Sequence, residues 1–167
     1  MIFVTVGTHE QPFNRLIQEV DRLKRENIIK DEVQMQTGYC TYQPQYCKWK
    51  AFFPYEKMQK FVENADIVIT HGGPSSFIMP LQYGKIPIVV PRQAKFQEHI
   101  NDHQLEFVHA VEERQKNVIG IYDISELEKV IKNYKKIAEK RNLSGGSNNQ
   151  KFNEEFSKIV EKCMGNI

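Results

Sequence analysis

Cysteine and tryptophan are scarce in this chain of 167 residues, which has three cysteines and one tryptophan. Cys40, Cys47 and Cys163 form no C-x-x-C motif and no second pair, so their spacing does not predict a zinc site. An odd number of cysteines without a signal peptide favours reduced thiols and a cytoplasmic protein.

Neither sign of charge dominates, and long apolar runs are lacking. The net charge of +2 is too small to predict a nucleic-acid-binding surface, so nucleic acid is not an expected partner. No apolar run approaches the roughly 20 residues that span a membrane. If the substrate is a lipid, something other than a span of this chain must therefore hold the protein at the membrane.

Short apolar runs alternate with amphipathic segments, and this alternation predicts the fold class. Strands are predicted over 1–6, 32–37, 49–53, 67–70, 86–90 and 118–121, and helices over 12–26, 54–64, 74–83, 99–110 and 123–141. Pro80 predicts a kink or an early end in its helix. Continuously apolar strands between helices indicate an α/β fold, a parallel sheet with helices on both faces.

The sequence divides into one domain and a C-terminal extension. The α/β domain is predicted over residues 1–141, with ligands bound beyond the carboxyl ends of its strands. A Gly-, Ser- and Asn-rich linker over 142–149 and a C-terminal helix within 150–167 are predicted to follow.

The first candidate site, Gly7-Thr8-His9-Glu10, follows the first strand. A glycine there lets the backbone approach a ligand closely. The G-x-G-x-x-G pattern is missing and no acidic residue ends the second strand, so a dinucleotide cofactor is not expected. An ordinary turn with Thr8 or Asn14 as a helix cap is the alternative.

The second candidate site runs from His71 to Ser76, where a β-branched strand ends at a glycine turn and a helix begins. Gly72 and Gly73 remove side chains where a ligand would approach, and the N–H and hydroxyl groups of Ser75 and Ser76 are donors. A helix N-terminus attracts anions, so this segment predicts a phosphate site to which His71 adds a charged hydrogen bond. A plain turn with serine caps is the alternative.

The third candidate site, residues 92–104, follows the fifth strand. Its polar side chains are Arg92, Glu98, His99, Asn101, Asp102, His103 and Gln104. Such groups suit sugar hydroxyls, which need both donors and acceptors. His99 and His103 have the spacing of zinc ligands, but no third ligand is evident, so a metal is the less favoured alternative. The second alternative is the solvent-exposed start of an ordinary helix.

Because the carboxyl ends of parallel strands meet at one edge of a sheet, the three candidate sites together predict one cleft.

These segments resemble the C-terminal, donor-binding half of GT-B glycosyltransferases of the MurG type. The chain is more similar to the soluble catalytic subunit of the split GlcNAc transferase of dolichol-linked glycan synthesis, and most similar to the PssE-like subunits of bacterial exopolysaccharide and capsule synthesis. The motifs that carry the resemblance are VTVGT at 4–8, QTG at 36–38, ADIVITHGG at 65–73, GKIPIVVPR at 84–92 and EHINDHQ at 98–104.

The resemblance implies a single Rossmann-like GT-B half domain that binds a UDP-sugar. Its implied diphosphate ligands are His71, Gly72, Gly73, Ser75 and Ser76, its implied sugar contacts are Asp102, His103, Gln104 and Glu98, and Gly7, Thr8 and Arg92 complete the substrate-binding set. His9 or Glu10 is the candidate general base, unless a partner supplies it.

The activity that the resemblance implies is inverting transfer of a hexose, with galactose favoured, to a lipid-linked saccharide in capsular or exopolysaccharide synthesis. No metal or other cofactor is expected for this chemistry. An acceptor-binding half does not fit in 167 residues beside this domain. We therefore expect a membrane-anchored partner subunit that recruits the chain to the inner face of the cell membrane, and the exposed half-cleft allows self-association of the isolated chain.

One residue departs from the pattern. Met79 stands where MurG-like proteins carry a glutamate that binds the ribose hydroxyls. This leaves open a non-catalytic accessory subunit that binds and activates a partner glycosyltransferase.

Overall fold

A computed structural model describes residues 1–141, which form a sheet of six strands with helices. The strands are β1 (Ile2–Thr5), β2 (Val33–Gln36), β3 (Lys48–Lys50), β4 (Ile67–His71), β5 (Ile88–Val90) and β6 (Ile119–Gly120). The helices are α1 (Asn14–Arg25), α2 (Tyr55–Asn64), α3 (Pro74–Gln82), α4 (His103–Gln115), α5 (Leu127–Lys132) and α6 (Tyr134–Glu139), with 3-10 turns at Ala94–Phe96 and Ile124–Glu126. The predicted linker and C-terminal helix lie outside the described residues.

The strand order is β3-β2-β1-β4-β5-β6, and every neighbouring pair is parallel. The winding direction reverses between β1 and β4, and in such sheets ligands bind in the crevice beyond the carboxyl ends at that reversal. The predicted α/β fold is therefore confirmed, and the strand order places the crevice after β1 and β4.

Alternate side chains of the strands build separate cores on the two faces of the sheet. Phe3 and Val68 pack with Val62 of α2. Val4 and Ile69 are buried with Leu16 of α1 on the opposite face. The sheet thus lies between two helical layers, which explains why the central strands β1, β4 and β5 are buried on both faces.

Helix α4 begins at His103 rather than at residue 99, and it continues to Gln115 rather than to 110. The Asn101 side chain accepts the N–H of His103 at 3.0 Å, and the Asp102 carboxylate accepts that of Ala94 at 2.9 Å. These side chains bond to the backbone in a loop conformation and so delay the helix.

The other boundaries differ less, except at the end of the domain. The single helix predicted over 123–141 is a 3-10 turn followed by α5 and α6, which are separated at Asn133. Asp123 is the cap of that turn, because its carboxylate accepts the N–H of Ser125 at 3.0 Å. Helix α3 continues two residues past Pro80, to Gln82, and β3 is shorter than predicted.

Among residues 1–141, no helix has the length and apolarity needed to cross a membrane.

Candidate functional site

The three candidate segments meet at the carboxyl edge of the sheet, where Arg92 joins two of them. Its guanidinium donates to the carbonyl oxygens of Val6 at 2.7 Å, Gln11 at 2.6 Å and Glu98 at 3.0 Å. The side chain is fully buried and lies over the ring of Phe13. Arg92 therefore fastens the loop after β1 to the loop after β5 and supports the crevice from behind, where it cannot touch a substrate.

Gln104 joins the second segment to the third. Its Oε1 accepts the N–H groups of Gly72 and Arg92, each at 3.1 Å, and its Nε2 lies 3.4 Å from Nδ1 of His71. The side chain is buried. The first turn of α4 thus holds the ends of β4 and β5 together through one amide, a supporting role in place of the expected sugar contact.

Glu98 is occupied by an ion pair. Its two carboxylate oxygens accept from Nε and Nη2 of Arg15, each at 3.0 Å, and one oxygen also accepts the N–H of Gln93 at 3.1 Å. Only 3% of the side chain is exposed. A carboxylate bonded in this way holds the β5–α4 loop against α1, so the structure gives Glu98 a supporting role as well.

His71 fills the space beside two glycines. A Cβ added to Gly7 would lie 2.2 Å from Nε2 of His71, and one added to Gly73 would lie 2.2 Å from Cε1. A Cβ on Gly72 would meet Pro91 and the first turns of α4 at 3.0–3.1 Å. The sequence predicts glycines that make room for a ligand, whereas in the structure they make room for the protein's own atoms.

Hydrogen bonds fix the tautomer of His71. Nδ1 accepts the N–H of Gly73 at 3.2 Å, so Nε2 carries the proton and donates to Oγ of Ser76 at 2.9 Å. Burial, reinforced by the charge of Arg92, lowers the pKa of His71 to about 3. The expected charged hydrogen bond is therefore not available from the neutral ring. The Ser76 hydroxyl, which accepts from His71, keeps its own proton for an outside acceptor.

The N-terminus of α3 lies at the crevice. Gly73 precedes it without a side-chain cap, and Pro74 occupies the first turn. Ser76 donates its N–H to the oxygen of Gly73 at 3.1 Å, which leaves only its hydroxyl free. Ser75 is exposed in the same turn, where N–H groups have no partner inside the helix. Of the expected phosphate contacts, the donors best placed are those of Ser75 and the hydroxyl of Ser76.

The remaining predicted residues lie around the rim. Thr8, Glu10 and Asp102 are exposed. His103 is partly buried, and its Nδ1 lies 3.8 Å from a carboxylate oxygen of Glu106. These side chains are near the surface and remain available to a ligand.

His9 is half-buried and packs against another histidine. Its ring stacks on that of His99 with centroids 4.5 Å apart. In residues 1–141 no group of three or more His, Cys, Asp or Glu side chains is placed to hold a metal ion, so a third ligand for His99 and His103 is not found there.

An aromatic pair that the sequence motifs do not predict lies at the same edge of the sheet. Tyr39 and Phe52 are 53% and 38% exposed, and their rings meet edge to face with centroids 5.2 Å apart. Gly38, which precedes Tyr39, donates to the oxygen of Ala51 and would place a Cβ 2.8 Å from the oxygen of Gly7. The sequence feature that could have predicted this pair is an aromatic residue shortly after the end of each of two strands, β2 and β3.

Met79 lies on the inner side of α3. It packs against the buried cluster of Phe3, Val62, Ala65 and Val68. This position offers an apolar side chain to the core and no polar group to a ribose.

Comparisons with known proteins agree with this architecture. The model described as the glycosyltransferase family 28 C-terminal domain matches residues 1–163. The crystal structure of the glycosyltransferase SnogD from Streptomyces nogalater matches with a TM-score of 0.51 and 17% identity, over 83% of this chain and 36% of that one. The crystal structure of the glycotransferase of kitacinnamycin matches with a TM-score of 0.48 and 13% identity, over 98% and 39%. No curated protein sequence matches the chain. The chain thus spans well under half the length of these two structures.

Proposed function

Because the chain belongs to the family of the glycosyltransferase family 28 C-terminal domain, we propose that it is the donor-binding half of an inverting glycosyltransferase that uses a UDP-sugar. The observation that carries this proposal is the uncapped N-terminus of α3 at the point where the sheet reverses its winding, with a serine hydroxyl oriented by His71. Helix N-termini at such crevices suit phosphate groups.

The diphosphate of the donor lies, in this proposal, at Ser75 and Ser76. The donors of the first helical turn and the helix dipole stabilise the negative charge that develops on UDP as it leaves. His71 acts indirectly, because its neutral ring points the Ser76 hydroxyl proton outward. Gly7, Gly72 and Gly73 contribute by allowing this arrangement.

The two ends of the donor extend along the edge of the sheet. The exposed pair Tyr39 and Phe52 offers a surface on which the uracil base can stack. Asp102 and His103, on the other side of the phosphate site, are the remaining candidates for contact with the sugar hydroxyls, and Thr8 lines the crevice between.

For the transfer itself, a general base removes the proton of an acceptor hydroxyl as that oxygen attacks the anomeric carbon from the face opposite UDP. His9 or Glu10 is the candidate in this chain. We propose a hexose as the transferred sugar, with galactose favoured, and a lipid-linked saccharide of capsule or exopolysaccharide synthesis as the acceptor. A membrane-anchored partner subunit supplies the acceptor-binding half and brings the chain to the inner face of the membrane; no metal or cofactor takes part.

Calorimetric titration with UDP tests the phosphate site directly. We expect one UDP to bind per chain, and Ser76→Ala to weaken binding about tenfold, since one hydrogen bond to a charged group contributes roughly 1.5 kcal/mol. Ser125→Ala is the matched control, because its hydroxyl bonds to Asp123 outside the crevice. A chain that does not bind UDP, or equal binding by wild type and Ser76→Ala, would contradict the site.

Transfer is measured with the chain and its partner subunit together, using several UDP-hexoses and a lipid-linked acceptor. Activity that depends on Ser76 supports the catalytic role.

The packing of Met79 in the core favours a second candidate, an accessory subunit that activates a partner enzyme. Full activity of the complex with Ser76→Ala would favour that candidate.

A further inference from the structure

The ring of His9 is held on two sides by residues outside the phosphate site. One face stacks on His99 with an angle of 14° between the ring planes. At its edge, Nε2 lies 2.9 Å from Oε1 of Gln11. The stack restricts the plane of the ring and the hydrogen bond restricts its rotation. His9 is therefore held by its own loop after β1 and by the loop after β5.

The orientation of the Gln11 amide determines which nitrogen of His9 carries the proton. Nε2 of Gln11 donates to the carbonyl oxygen of Gln97 at 3.2 Å. A carbonyl oxygen only accepts hydrogen bonds, so the amide nitrogen must face Gln97 and Oε1 must face His9. That amide oxygen also only accepts. His9 therefore carries its proton on Nε2, and Nδ1 keeps a free lone pair.

Both ends of Gln11 are anchored. Its backbone oxygen accepts from the buried Arg92 at 2.6 Å. Gln97, whose carbonyl oxygen accepts from the Gln11 amide, has a left-handed backbone conformation with φ of 59°, which is uncommon for a residue other than glycine. These contacts leave the Gln11 amide little freedom to turn over.

Within residues 1–141, Nδ1 of His9 is unoccupied. Among the described residues it has no hydrogen-bond partner and no carboxylate pairs with His9; the histidines that interact electrostatically with it are His71 and His99. Glu10, the other candidate base, is exposed, and within residues 1–141 no hydrogen bond or ion pair fixes its carboxylate.

We propose that Gln11 is a positioning residue that holds His9 in the tautomer with an unprotonated Nδ1, which makes His9 rather than Glu10 the general base. This inference rests on the proposed function. The proton of the acceptor hydroxyl passes to Nδ1, and the oxygen forms its bond to the anomeric carbon. The bond from that carbon to UDP breaks, and its electron pair leaves on the diphosphate. The imidazolium that forms keeps its Nε2 hydrogen bond to Gln11.

Nitrogen-15 NMR of the histidine rings in the full chain reads the tautomer without any assay of transfer. His9→Gln identifies the His9 signals. At a pH above the titration midpoint, the wild type is expected to show the proton of His9 on Nε2. Gln11→Met removes the acceptor at similar size and is expected to mix the tautomers, whereas Gln11→Glu keeps an acceptor oxygen and the single tautomer. Gln18→Met, exposed on α1, is the control. Mixed tautomers in the wild type, or no change in Gln11→Met, would overturn the proposal.

Kinetics of the complex with the partner subunit test the consequence. We expect Gln11→Met to lower kcat about tenfold with KM for the donor unchanged, Gln11→Glu to recover most of it, and His9→Gln to lower kcat at least about a hundredfold, the usual range for loss of a general base. Wild-type kcat in Gln11→Met or His9→Gln overturns the inference. Failure to bind UDP contradicts the proposed function instead, whatever the tautomer.

Discussion

The imidazole of His71 packs against the α-carbons of Gly7 and Gly73, and this contact determines what can replace either glycine. Gly7 also has a φ of +75°, so two effects, backbone strain and a side-chain clash, act at one residue. Gly84 has nearly the same φ, +72°, with nothing within 4 Å of an added Cβ. The chain therefore contains its own control for separating the two effects.

We expect Gly84→Ala to lower the free energy of unfolding by about 1 kcal/mol, the cost of a left-handed alanine. Gly7→Ala should cost about 2 kcal/mol more, because its Cβ displaces the His71 ring from a packed position. Urea denaturation measures both. Gly7→Ala should also weaken UDP binding while Gly84→Ala leaves it unchanged; equal losses of stability would argue against the clash.

His71 also makes stability depend on pH. Burial lowers its pKa from 6.5 to about 3, so the unfolded chain binds a proton that the folded chain excludes. The stabilisation is complete above the unfolded pKa and is lost as pH falls from about 6.5 towards 3, by up to about 1.4 kcal/mol per pH unit. Urea denaturation between pH 7.5 and 5 should show a shallower dependence for His71→Gln than for wild type, and His109→Gln serves as the exposed control. Parallel curves for His71→Gln and wild type would contradict the assignment.

Among the elements, the loop between β5 and α4 is held in place by charged side chains. Arg92 bonds it to the end of β1, and the Glu98–Arg15 pair holds it against α1. Both contacts are largely buried, and a buried ion pair that loses one partner leaves an uncompensated charge. The loop therefore has little freedom, although its sequence looks like a surface segment.

Glu98→Gln should lower the free energy of unfolding by about 3 kcal/mol, because the Arg15 guanidinium loses its counter-charge. Thermal or urea denaturation measures this, with Glu106→Gln, 66% exposed on α4, as the matched control. If Glu98 instead contacted the sugar, the variant would be as stable as wild type and would lose affinity only for the donor's hexose.

Taken as a whole, the chain spans 36% of the SnogD chain, and the proposed phosphate site lies at the open carboxyl edge of the sheet. An open crevice leaves its hydrogen bonds in competition with water. If a partner subunit covers it, the same donors act in a medium of lower dielectric constant, where their interaction with a diphosphate is stronger.

We therefore expect UDP to bind at least about tenfold more tightly to a complex with the proposed partner subunit than to the chain alone, a difference of roughly 1.4 kcal/mol. Calorimetry on the two preparations measures this, and Ser76→Ala in the complex shows whether the same site is used. Equal affinities would argue that the partner does not cover the phosphate site.

The sequence by itself determined the alternation of strands and helices, the α/β class and the segments that follow each strand. These features can be predicted because they follow from short-range patterns, the spacing of apolar residues and the positions of glycine and proline. The start of α4 was misplaced because the side chains of residues 101–102 bond to nearby backbone groups, a competition that apolar spacing does not report.

Only the tertiary structure decided which polar side chains face the crevice and which lie behind it. Arg92 bonds to Val6 across 86 positions of sequence and Arg15 to Glu98 across 83, so no local pattern distinguishes these residues from surface ligands. Buried charges need partners, and the sheet supplies them from distant segments. For the same reason the proton on His71 and the orientation of the Ser76 hydroxyl emerged only once the chain was folded.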